Sequence, residues 1–153
     1  MSKYRAILCT GDRYATDRVW LTVVVKAIWR ISSADDCIRI IHGDQGKIEK
    51  GKITGIDSMA KMVGRTQAFS SDLPMPYITA LGRAGGPVRN KQMVAVMDAL
   101  RMVGYQTTCL AFHDEIHKSS GTKGCLNLAV AGGHECFLCT SDYVMAPITT
   151  EVA

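Results

Sequence analysis

The chain has 153 residues, is 47% hydrophobic and carries a formal net charge of +4. That length fits a single domain around one sizeable core. No apolar run approaches the ~18 residues of a membrane span, and the mild, scattered charge argues against nucleic acid as a partner.

Residues 5–10 form a first apolar strand that stops at Thr10-Gly11-Asp12-Arg13. Thr16 and Asp17 suit a helix start, as N-cap and first-turn acid. Val19, Trp20, Val23, Val24, Ala27, Ile28 and Ile31 then recur at helical spacing. Ser32 to Asp36 is a turn, and Cys37 to Ile41 a second strand that runs into His42-Gly43-Asp44. Residues 43–54, rich in Gly and Lys, read as a flexible loop. Lys47, Lys50 and Lys52 there are the densest basic group, either solvated or facing an anionic ligand. A helix starts at Gly55, with Ile56, Met59, Ala60 and Val63 on its inner face.

Pro74 and Pro76 exclude a helix across 69–81 and leave room for a short strand near Met75 to Ile78. Pro87 falls where a first helical turn accepts it. Met93, Val96, Met97, Leu100 and Val103 give the stripe of a long helix that Gly104 ends. Thr107 to Phe112 is a strand, His113 to Ser120 a polar loop, Gly121 to Ala131 a helix ended by Gly132-Gly133, and Cys136 to Thr140 a last strand. The tail after Pro147 is expected to be mobile or used in an oligomer contact. This β-α alternation, without repeat or linker, predicts an α/β fold: a Rossmann-like open parallel sheet with helices on both faces and the first strand central.

The amino-terminal residues lead into only a short apolar run, without the long apolar core of a signal peptide, so a cytoplasmic protein is expected. Of the six cysteines, Cys9, Cys37, Cys109 and Cys136 lie in or beside strand runs, where cysteine is an ordinary core residue. Cys136 and Cys139 have C-x-x-C spacing, but positions i and i+3 of a strand face opposite sides. No second pair completes a zinc set. Reduced thiols, no metal and no cofactor are the expectation.

Three glycine-rich turns, at Thr10-Gly11-Asp12-Arg13, at His42-Gly43-Asp44 and at Ser119-Ser120-Gly121-Thr122, follow apolar runs and precede helical segments. In an open parallel sheet the strand ends share one edge, toward which helix N-termini point free N–H groups. The turns therefore converge on a pocket suited to a phosphate- or ribose-bearing molecule. Gly86, Arg89 and Asn90 flank Pro87 at the same edge, where a guanidinium can clamp phosphate; Arg13 offers the same chemistry. Asp12, Asp44 and Asp57 could accept ribose hydroxyls or cap local turns. Phe112 and His113 fall in the pocket wall, and His42 could bond a ligand, act as a base or satisfy loop carbonyls. Neither the G-x-x-x-x-G-K-[ST] phosphate loop nor a G-x-G-x-x-G fingerprint is present.

These blocks resemble the SLOG superfamily, in particular its small YspA-like branch. The matching residues are Thr10 to Arg13, His42 to Asp44, Gly55 to Ala60, Gly82 to Met93, Leu110 to Phe112, and Gly121-Thr122. The most specific is Arg83-Ala84-Gly85-Gly86-Pro87-Val88-Arg89-Asn90. The resemblance implies a Rossmann-like sheet that binds nucleotides or nucleotide-derived, ADP-ribose-like signals, as sensor or sequestering sponge in bacterial and phage conflict. A homo-oligomer is expected besides. Kinship with the LONELY GUY phosphoribohydrolases keeps open an enzyme that cleaves an N-glycosidic or phosphate bond. Cys125 stands at their Glu position, and a thiol cannot replace a carboxylate that stabilises an oxocarbenium-like centre. A nucleic-acid role like that of DprA proteins is poorly matched by the charge pattern.

Overall fold

A computed structural model describes residues 3–67, 70–75 and 79–153. The near-continuous apolar run Tyr4–Gly11 is β1; the helical stripe Asp17–Ile31 is α1; Cys37–His42 is β2. A hairpin of β3 (Lys47–Glu49) and β4 (Lys52–Thr54) precedes α2 (Ile56–Thr66) and β5 (Ser70–Pro74). Then follow α3 (Gly85–Met102), β6 (Gln106–Phe112), α4 (Ser120–Ala131), β7 (Glu135–Cys139) and β8 (Met145–Pro147). The main sheet runs β5-β2-β1-β6-β7-β8, parallel throughout except for the antiparallel β8. β1 is interior, as its two-sided burial requires.

Ile7 and Cys9 of β1 pack with Val24 and Ile28 of α1 and Met59 of α2, whereas Ala6 and Leu8 pack on the other face with Met93 and Met97 of α3 and Leu126 of α4. Period-two alternation thus sends one strand into two cores. Cys139 joins the first core and Cys136 the second, so the C-x-x-C pair is split by the sheet, and all six cysteines are free thiols. Hydrogen bonds from Gly104 N to Arg101 O and from Tyr105 N to Leu100 O close α3 where the sequence predicts.

Four expectations change. The segment 43–54 contains a hairpin rather than only loop: Lys50 and Gly51 have φ of 49° and 75°, the positive pair that a type I′ turn needs. Thr16 caps α1 without a side-chain bond; Asp17 Oδ2 instead accepts from Ile53 N at 3.2 Å and ties α1 to β4. The strand expected near Met75 is β5, ending at Pro74; residues 76–78 of that expectation lie outside the described residues.

The tail, expected to be mobile or used in an oligomer contact, is packed on its own chain. Its Val152 exchanges two hydrogen bonds with the Asn127 side chain, at 2.8 and 2.7 Å, and Ile148 and Val152 cover the α3–α4 core. Asn127→Ala should cost about 1–2 kcal/mol and release the tail, seen as a lower denaturation midpoint and as lost amide-exchange protection confined to residues 148–153. No described helix is long and apolar enough to cross a membrane.

Candidate functional site

The connection from β1 through α1 leads to β2 on one side, while β6 pairs on the other side. Strand order therefore reverses between β1 and β6, and the carboxyl ends of these two strands open into a cleft of about 460 Å³. Gly11 makes the opening possible. A Cβ there would stand 2.6 Å from both Ile56 Cγ1 and Phe112 O. Beyond it, Asp12 N donates to Phe112 O at 3.2 Å, and Asp12 O accepts from Ile56 N at 3.1 Å, pinning the first loop to β6 and to the start of α2.

Three helices begin at this cleft, α2 among them with Asp57 in the lining. Gly86 lines it from the first turn of α3 and Arg89 from the start of the second, and Ser119 to Thr122 line it from the start of α4. Ser119 is the N-cap, its Oγ accepting from Thr122 N at 3.2 Å. The remaining first-turn amides have no carbonyl partner within the helix, which suits an anion. Ser119→Ala should lower stability by about 1 kcal/mol, measured by thermal denaturation. A substantially larger loss would mean that the hydroxyl supports more than its cap.

Arg13, Arg89 and Lys118 bring positive charge to the walls, and Asp12 and Asp57 negative charge. Arg13 lies over the Tyr14 ring at 4.9 Å. Asp12 Oδ1 accepts from Tyr14 N at 2.8 Å, a local turn bond that occupies one of its oxygens. Asp57, at the start of α2, is 8% exposed. Burial raises its pKa above the ordinary carboxylate value, against the opposing pull of the Gln45 N–H, of nearby His42, of the Arg89 charge and of the Gly43 N–H. Gly43 is wedged between Asp57 and Arg89: a Cβ would meet Asp57 Oδ2 at 2.9 Å and Arg89 Cζ and Nε at 3.0 Å. Only a glycine lets β2's loop pass behind this pair without displacing it.

Of the residues expected at the site, Gly11, Asp12, Arg13, Asp57, Gly86, Arg89, His113, Ser119, Ser120, Gly121 and Thr122 line this one cleft. The other five do not. His42 is wholly buried; its Nε2 meets Asp72 Oδ2 at 3.0 Å and its Nδ1 accepts from Asp44 N at 3.0 Å, so both nitrogens are occupied. An Nδ1 that accepts leaves the proton on Nε2, facing Asp72. Asp44 pairs with Lys61 Nζ at 2.8 Å. Asn90 Nδ2 donates to Gly121 O at 3.2 Å, fastening α3 to α4 behind the cleft. Phe112 is a fully buried core side chain whose contribution at the edge is its carbonyl. Gly43 acts from behind.

The sequence reading missed Tyr14, Gln45, Met93 and Lys118 in the lining. Tyr14 and Lys118 adjoin recognised turns and could have been found by extending them; Gln45 carries no sequence signal. The lysines 47, 50 and 52 are exposed and away from the lining. Cys125 is fully buried beneath the cleft, its thiol pushed up to about 12 by burial, with only partial relief from the Thr10 hydroxyl. It is neither a carboxylate nor a thiolate at neutral pH. Comparisons with family models, curated proteins and solved structures found no match for the chain.

Proposed function

We propose that the protein is a SLOG-type domain that binds a nucleotide or a nucleotide-derived, ADP-ribose-like signal in this cleft, as a sensor or a sequestering sponge. The observation that carries the reading is the meeting of Arg89 and the Ser119–Thr122 turn, each at a helix N-terminus, in one cleft at the strand-order reversal. The cleft's size is that of small-molecule sites. Tyr14, 70% exposed at its rim, offers a ring on which a base can stack. The conflict-system role rests on the sequence resemblance.

A second reading, hydrolysis, is favoured by one group. Asp57 is a buried carboxyl of raised pKa in a cleft wall, the kind of group that serves as general acid. One experiment separates the two. The purified protein is incubated with AMP, ADP-ribose and cyclic ADP-ribose, followed by chromatography, then heated, and the released molecules are identified by mass spectrometry. Stoichiometric uptake with intact ligand returned is the expected result. Multiple turnovers, abolished in Asp57→Asn, would replace binding by catalysis. Neither uptake nor turnover of any nucleotide, with none co-purified, would sink both.

A further inference from the structure

The opposite edge of the sheet holds a larger cavity, about 690 Å³, which the proposed nucleotide site does not use. Three guanidiniums from three elements line it: Arg5 of β1, Arg30 of α1 and Arg101 of α3. Glu135 is the one carboxylate among its lining residues, and its Oε1 already accepts from Thr108 Oγ1 at 3.2 Å. Arg30 and Arg101 stand in the last turns of their helices, where a cation also offsets the helix dipole. Arg5, on a strand, has no such duty.

The walls are braced from behind. Asp36 holds Arg5 through Nε at 2.7 Å, and Asp98 holds Arg101 through Nη2 at 3.4 Å, so neither contact consumes all five donors of its guanidinium. His134, with a fully buried side chain, bridges Asp98 Oδ1 at 2.7 Å and Thr107 Oγ1 at 2.6 Å, fixing the start of β6 against α3. Arg30 forms no ion pair with any described residue.

Arg30 and Met145 are shared with a second cavity of about 180 Å³ that runs along α1. Its walls include Val23, Ala27, Cys139 and Val144, and Lys26 closes one side by lying 4.7 Å over the Tyr143 ring. The space exists because the chain after β7 turns back as the short β8, so no further helix covers β7 and β8 beside α1. A polar, arginine-lined chamber thus adjoins an apolar one, with Arg30 at the junction.

We propose that the two chambers form one site for a phosphate monoester with an apolar body. The phosphate lies among Arg5, Arg30 and Arg101, and the alkyl or aryl body lies between α1 and the β7–β8 hairpin. Three guanidiniums suit the three terminal oxygens of a phosphate better than the two of a carboxylate.

Octyl phosphate, octanoate, inorganic phosphate and octanol are titrated separately into the full chain, followed by amide and methyl NMR. Octyl phosphate should give saturable shifts at the Arg30 and Thr107 amides and at the Val23 and Val144 methyls. It should bind about tenfold or more tighter than each of the other three, the scale of one charged contact or more. Arg30→Gln, a change at an exposed side chain, should weaken it by about tenfold while leaving the remaining spectrum folded. Equal affinity for octanoate or octanol would overturn the phosphate assignment. Shifts confined to Gly11 and Ser119–Thr122, or no saturation at millimolar ligand, would overturn the site.

Discussion

Arg89→Ala is expected to weaken nucleotide binding by about 1.5–3 kcal/mol, the scale of a charged hydrogen bond in a partly desolvated site. That is roughly a tenfold to hundredfold rise in Kd. Arg89 is 9% exposed, lines the cleft from near the start of α3 and lies beside Gly43 with the Asp57 carboxylate across from it. Its removal takes away the cation and also leaves Asp57 without a charge that holds down its pKa. Arg89→Lys should recover only part of the affinity, because an ammonium keeps the charge and loses the planar fork. Calorimetry with a folded variant decides it: affinity equal to that of the unsubstituted protein would remove Arg89 from the binding account.

The parts of the fold that the sequence made readable are those where burial writes the pattern. β1, β2, β6 and β7 are apolar runs because both their faces are covered, and α1 to α4 show their inner stripes. β5 was misplaced because Ser-Ser-Asp-Leu-Pro has no strand composition. Its backbone pairs with β2, and Asp72 on it is held by His42 and Arg65. The β3–β4 hairpin hid behind its Lys-Gly turn, which lacks the usual Asn or Asp before the glycine. At the site, β-α alternation brings residues to the right edge but does not say which way each points. His42 and Phe112 end their strands at that edge, yet both side chains turn into the interior. The turn residues after β1 and before α4 line the cleft because a loop at a helix N-terminus has little else to pack against.

The largest stability effect is expected at Asp36, in the turn between α1 and β2. Its carboxylate is 1% exposed and accepts from Arg5 Nε at 2.7 Å, Ser33 N at 2.9 Å and Lys3 N at 3.1 Å, joining the start of β1 to the start of β2. Asp36→Ala should cost about 3 kcal/mol at neutral pH, because it leaves a cation and two amides short of a partner. Burial alone would raise the Asp36 pKa, but the Ser33 N–H, the Arg5 guanidinium and the Lys3 N–H together lower it. A depressed folded pKa adds stability above the unfolded value, about 3.9, and that stability is lost as pH falls through the folded value below it. Denaturant titrations of the protein and of Asp36→Asn should therefore diverge most at neutral pH and converge in acid. A gap that stays constant down to the most acidic pH would show that the charge on Asp36 contributes nothing.

The interior position of β1 has a consequence for how the chain is made. Its first neighbour, β2, follows within one helix, and Tyr4 can meet Cys37 early. Its other edge waits for β6, since Arg5 pairs with Gln106 and Gly11 with Phe112. At ordinary synthesis rates that interval is roughly 5–20 s. Until then the emerging chain carries an open strand edge, flanked by Ile7, Leu8 and Cys9, that can pair only with something foreign. The arrival of β6 closes this edge, and the cleft beside it is complete only a few residues later, when Ser119 to Thr122 open α4. The amino-terminal half is therefore not a folding unit by itself, and the chain is not safe from misassociation until the strand that lies beside its first one has been synthesised.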